Sequence, residues 1–257
     1  SSQQDDALMK QKYFRNLASG INYVVALLFS FLVVSVVFSR NKNQRPNILF
    51  IMSDDHTSQA WGLYGGILKD YVENENIQRL ANEGCVLENA FCTNSICTPS
   101  RATILTGQYS HTNRVYTLRE PLPVDHVNIA GLLKRNGYQT AVIGKWHLVN
   151  KPRGFDYYNV LPGQGVYFDP VLKNAETWED GYGGGIKHRG FSTNVITDLT
   201  IKWLKERDPQ KPFLMLTHFK ATHEPFHYPE KYSQLYKNMS LPEPESLYDF
   251  SSRTTGR

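Results

Sequence analysis

Apolar positions along the chain fall into continuous runs and helically spaced ones. Residues 47–52, NILFIM, are apolar almost throughout and rich in branched side chains, the pattern of a short buried strand. Residues 139–143 and 213–219 also read as strands. Elsewhere the spacing turns helical. In residues 76–83, Ile77, Leu80 and Ala81 share a face, and Gly84 supplies a stop. Residues 98–106 predict a short helix with Pro99 in its first turn, where a missing N–H costs nothing. Residues 127–136 are amphipathic and close on Gly137. Residues 193–206 place Val195, Ile196, Leu199, Trp203 and Leu204 on one face. Residues 168–190, rich in glycine and aromatics, read as a long loop.

Strands alternating with helices predict an α/β fold, with a mainly parallel sheet flanked by helices on both faces. Asp54 and Asp55 follow the first predicted strand, Lys145 and His147 the second, and His223 the third. In open α/β sheets the carboxyl ends of strands converge on the ligand crevice. Pattern alone therefore brings a carboxylate pair, a lysine and two histidines to one edge.

One segment departs from globular patterning. Residues 16–39 carry no charge, and residues 21–38 are almost wholly apolar. As a helix that run is about 27 Å long, close to the hydrocarbon thickness of a bilayer. Lys10, Lys12 and Arg15 make a basic segment of residues 1–15. A secretory signal and an uncleaved membrane anchor both fit. Val37-Phe38-Ser39 is a passable cleavage site, while the length of the run favours an anchor. Arg40, Lys42 and Arg45 follow it, so flanking charge leaves the orientation open. Either reading sends the rest of the chain out of the cytoplasm, to the periplasm, the exterior or the outer side of a membrane. Translation is expected to begin at Met9, or the sequence to be a fragment. Residues 40–46 form a polar linker before the α/β domain expected at residues 47–257.

The 257 residues are 40% hydrophobic and 12% aromatic, ample for a core. A net charge of +4, spread along the chain without a basic run, gives no expectation of nucleic-acid binding. Cys85, Cys92 and Cys97 are an odd number of cysteines for an exported chain, so at least one is left unpaired or reserved for chemistry. No CxxC pair is present, which argues against structural zinc.

Adjacent carboxylates at a strand end suit a hard cation such as Ca²⁺ or Mg²⁺. Asp54 and Asp55 also suit a turn or a helix cap, which is the commoner use of such a pair. Lys145 and His147 fit a solvated loop, and His223 fits a surface position. Their shared place in the fold is what groups them. A metal, two cations and a helix N-terminus would bind an oxyanion such as phosphate or sulfate.

CTPSRATILTG, residues 97–107, resembles the signature of the type I sulfatases, in which C-x-P-S-R precedes a short spacer and T-G. GYQTAVIGKWH, residues 137–147, resembles that family's second signature, and PNILFIMSDD, residues 46–55, its first strand and metal-binding carboxylates. The likeness covers roughly residues 45–240 and implies the alkaline-phosphatase-like fold.

The resemblance implies that a maturation enzyme oxidises Cys97 to formylglycine. The hydrated aldehyde would attack sulfur through one hydroxyl and expel sulfate with the help of the second. A serine has no second hydroxyl for that elimination. The resemblance further implies that Asp54, Asp55 and residue 97 hold a divalent ion, Ca²⁺ before Mg²⁺ or another. Arg101 would hold the formylglycine, Lys145 would neutralise sulfate oxygens, and His147 would orient or deprotonate the diol. His223, in THFKATHEPF, would contact the ester and assist the leaving oxygen.

Sulfatases of this family run well beyond this length. Their later segment adds metal ligands in an Asp-Asn-Gly stretch, absent here, and another lysine. The chain is therefore expected to be the N-terminal part of such an enzyme. The expected function is a sulfuric ester hydrolase acting on a sulfated carbohydrate, with a 6-sulfated amino sugar as one option. A phosphonate or phosphate ester hydrolase of the same superfamily, and an inactive membrane-tethered fragment, are the alternatives.

Overall fold

The computed structural model describes residues 45–248. The segments read at 1–15 and 16–39, and most of the linker, lie outside the described residues. No helix among those described is long and apolar enough to cross a membrane.

The apolar runs are strands. β1 (Ile48–Asp54) is followed by α1 (Glu75–Glu83), α2 (Cys97–Thr106), the single turn α3 (Ser110–Asn113) and α4 (Ile129–Arg135). Next come β2 (Gln139–Lys145), β3 (Tyr157–Leu161), the two short strands β4 (Val171–Leu172) and β5 (Ile186–Lys187), α5 (Ser192–Glu206) and β6 (Phe213–Thr222). β1, β6, β2 and β3 form, in that order, a four-stranded sheet whose neighbours are all parallel.

Side-chain alternation sorts the central strands into two cores. Val142 of β2 and Leu214 and Leu216 of β6 face one way and pack with Ala102 and Leu105 of α2 and Ala130 of α4. Ala141 and Ile143, with Phe213 and Met215, face the other way and pack with Val195 and Ile196 of α5. Helices thus cover both faces of β2 and β6, which explains why these strands read as continuous apolar runs. Each fully buried aliphatic side chain contributes about 1.5–3 kcal/mol.

Two expectations change. β1 is not a buried strand among the described residues. It pairs with β6 alone, and Leu49 and Ile51 are 46% and 58% exposed, because the helices pack over the centre of the sheet. The predicted loop at residues 168–190 is not wholly irregular, since β4 and β5 pair antiparallel inside it and Lys173 bridges back to Val160 of β3. β3 itself, YYNVL, carries two tyrosines and an asparagine and gives a weak apolar signal.

Candidate active site

The carboxyl ends of three strands and the start of one helix meet at a single place. Asp54 closes β1 and Lys145 closes β2, while α2 begins at Cys97. Pro99 sits in the first turn of α2 as predicted, and Gly107 ends the helix in the left-handed conformation at φ 65°, its N–H donating to the Thr103 carbonyl. Ile96, the residue before the helix, offers no capping side chain, so free N–H groups remain at the end that carries Cys97.

Asp54 is 5% exposed and accepts from the ammonium of Lys145, which is fully buried. Arg101, one turn after Cys97, places its guanidinium 3.4 Å from the other oxygen of Asp54. The Cys97 sulfur lies 3.7 Å from Asp54 Oδ1 and 3.6 Å from Lys145 Nζ. Burial pushes the Asp54 carboxyl up, but Arg101 and Lys145 outweigh it and hold the group below the usual carboxylate range. Cys97 moves the other way. Burial pushes its thiol up, Asp54 adds to this, and the opposing pull of Lys145 and Arg101 is not enough to reverse it. The unmodified sulfur is therefore protonated near neutrality and a poor nucleophile.

Arg101 is locked from behind. Its Nη1 donates to the Lys145 carbonyl at 2.5 Å and lies 3.3 Å from Nδ1 of the fully buried His218. Burial and the Arg101 charge push His218 down to about 3, so it stays neutral beside the guanidinium.

His147 follows β2 on left-handed backbone at φ 51°, and Thr98 Oγ1 donates to its carbonyl at 2.8 Å, tying it to α2. Burial, then Lys145 and Arg101, push its imidazole down to about 4. The ring lines a cleft with Trp146, Trp178 and Tyr182. Asp55 also has positive φ, 54°, and is the more exposed of the carboxylate pair. His223 Nε2 lies 3.6 Å from Asp55 Oδ2. Its Nδ1 lies 2.7 Å from the Glu224 carbonyl, which can only accept, so that nitrogen carries the proton.

All the predicted residues thus gather around this edge, with one rearrangement. The donor atoms that lie within 4.8 Å of one another belong to Asp54, Cys97 and His223, whereas the sequence put Asp55 in the first set. Asp55 joins at the periphery through His223. Two carboxylates suit a hard divalent cation, and a sulfur does not. An oxygen-bearing side chain at position 97 would make the donor set consistent.

Gln164 escaped the sequence reading. Its Oε1 accepts from Lys145 Nζ at 2.5 Å, from a loop just after β3. No motif marks it, and only recognition of β3 could have drawn attention to the turn that follows.

The sequence profile of the sulfatase family matches residues 46–251. An N-acetylglucosamine-6-O-sulfatase of Bacteroides thetaiotaomicron is 41% identical over 213 residues, 82% of this chain and 36% of that protein. Mouse arylsulfatase J is 30% identical over 220 residues, 76% of this chain and 35% of its own length. A solved structure of a protein in complex with its substrate, D-glucosamine-2-N,6-O-disulfate, matches at a TM-score of 0.75 and 40% identity, over 82% of this chain and 42% of that one. A phosphonate monoester hydrolase of Agrobacterium radiobacter shares the fold at a TM-score of 0.56 and 21% identity.

Proposed function

Because the chain belongs to the sulfatase family, we propose that it serves a sulfuric ester hydrolase whose substrate is a sulfated amino sugar, with the ester on the 6-oxygen. The sugar class follows the relative that is 41% identical, an N-acetylglucosamine-6-O-sulfatase. The chain spans 36% of that relative, so activity belongs to the protein at whatever length it functions. The reaction consumes water and yields the free sugar hydroxyl and sulfate.

The observation that carries this reading is the setting of Cys97. It stands at an uncapped helix N-terminus, between a carboxylate that cations hold ionised and a fully buried lysine. Such a place suits a tetrahedral oxyanion and a cation together. We infer that Cys97 is converted to formylglycine by a maturation enzyme, and that Asp54, Asp55 and residue 97 hold a divalent ion, Ca²⁺ before Mg²⁺ or another, since carboxylate oxygens suit a hard cation. The hydrated aldehyde supplies a hydroxyl nucleophile and a second hydroxyl that lets sulfate leave.

The remaining work falls to the chain's own groups. Lys145 offers an N–H donor to sulfate oxygens on which negative charge grows, and Arg101 holds the side chain of residue 97. His147, held neutral at physiological pH, can accept a proton at residue 97. His223, with Nδ1–H fixed on a carbonyl, presents Nε2 toward Asp55, and in the doubly protonated form of the ring it can give the Nε2 proton to the leaving sugar oxygen. The apolar run of residues 16–39 supports a site outside the cytoplasm, reached through a cleaved signal or an anchor, and fractionation with N-terminal sequencing tests this.

Sulfate release from glucosamine 6-sulfate, run beside an aryl phosphate diester, tests the reading. Release of sulfate with the ester of phosphorus left intact is expected. Preference for the phosphate diester would overturn it.

A further inference from the structure

Lys220 is 3% exposed on β6, yet no carboxylate stands within ion-pair distance of it among the described residues. Its ammonium donates to the Glu224 carbonyl at 3.3 Å and lies 4.8 Å from the centre of the Tyr167 ring. An ammonium has three N–H donors, so a single carbonyl leaves capacity unused. A buried ammonium served by one carbonyl and one ring face keeps donors in reserve, and an anion in the adjoining cleft would engage them.

The surroundings say what kind of molecule carries that anion. Lys220, His223, Tyr167, Phe168 and His227 line an open cleft of about 550 Å³. Phe168 is 53% exposed and braced by the rings of Phe191 and His227, which leaves an aromatic surface for the apolar face of a sugar. The cleft borders His223, the group proposed to protonate the leaving oxygen, so it lies on the sugar side of the reaction. Burial, then repulsion from Lys145, holds Lys220 below the usual lysine range against the pull of Asp54, Cys97 and Glu224, and the charge of a bound anion would oppose that lowering.

We propose that Lys220 is a specificity residue that binds a second sulfate of the sugar, one other than the ester being cleaved. The inference rests on the amino-sugar reading above and deepens it. The protein then prefers disulfated over monosulfated sugars.

Calorimetric titration with glucosamine 2-N,6-O-disulfate and with glucosamine 6-sulfate gives the affinity ratio directly. In the unaltered protein the ratio is expected to favour the disulfate by about tenfold or more, the scale of a hydrogen bond to a charged group. Lys220→Met should collapse that ratio toward unity whatever it does to either affinity alone, and Lys220→Arg should retain most of it. If the Met variant fails to fold, Lys220→Gln makes the same comparison. An unaltered protein that binds the disulfate no better than the monosulfate, or does not bind it at all, overturns the proposal. So does a ratio that survives removal of the ammonium. Sulfate release is followed separately. Turnover of neither sugar counts against the sulfatase reading, and the affinity ratio still decides the role of Lys220.

Discussion

The ammonium of Lys145 stands 3.6 Å from the sulfur of Cys97, although 48 residues separate them in sequence. One residue ends the second strand of the sheet and the other begins a helix, and the Asp54 carboxylate touches both. The cluster joins groups of opposite charge inside the protein, so its stability and its chemistry are coupled.

Removing Lys145 leaves Asp54 ionised and buried, with Arg101 at 3.4 Å as its one remaining ion-pair partner among the described residues. Loss of one partner from a buried pair typically costs about 3–5 kcal/mol. Lys145→Met should therefore lower the urea midpoint by a matching amount and depress sulfate release by at least about a hundredfold. Added Ca²⁺ should restore part of the stability, since it supplies the positive charge that Asp54 has lost. Unchanged stability with and without the ion would show that Asp54 does not depend on Lys145.

Gly144 precedes Lys145 at φ 102°, a backbone region that side chains rarely adopt. A methyl group there would sit 1.9 Å from the carbonyl oxygen of His218 on the neighbouring strand. Gly144→Ala should cost more than the roughly 1–3 kcal/mol of backbone strain alone, because β2 and β6 must also separate. A thermal melt reads this as a large drop or as loss of soluble protein. A melt equal to that of the parent would contradict the close approach of the two strands.

The buried histidines predict the acid side of the stability profile. His147 and His218 are pushed down to about 4 and about 3, by burial first and by neighbouring cations next. In the unfolded chain both titrate near about 6.5. Below that value the unfolded state binds more protons, so stability falls as the pH drops from about 6.5 through about 4. Asp54 adds to the loss at lower pH, as its depressed carboxyl finally protonates. Urea unfolding between pH 7 and pH 4 should show the decline, and His218→Gln should flatten it. A profile indifferent to pH over that range would mean that the histidines are accessible to protons in the folded state.

What was legible in the sequence follows from how each element is buried. β2 and β6 are covered on both faces, so their apolar runs were plain, and the polar residues at their ends could be placed at one edge. α5 announced itself through five apolar positions on one face, with Val195 and Ile196 now in the core. β3 was not legible, because YYNVL mixes aromatic and polar residues, and Gln164 went unseen with it. β1 was recognised as a strand but its exposure was not, since the composition of a run does not reveal which neighbours pair with it. Lys220 gave no signal because burial of a lysine without a carboxylate is visible only in three dimensions. The cysteine signature at residues 97–107 spoke most clearly, and its geometry shows why. Cys97 and Arg101 lie one turn apart on a helix, which puts both beside Asp54.

The central claim is that residue 97 acts as an aldehyde hydrate and not as a thiol. Mass spectrometry of the peptide that spans Cys97, taken from protein that releases sulfate, tests it most directly. The account predicts formylglycine at position 97, in proportion to specific activity, and no turnover from Cys97→Ala. Fully active protein that carries only a free thiol at Cys97, or a disulfide from Cys97 to Cys92, would contradict it.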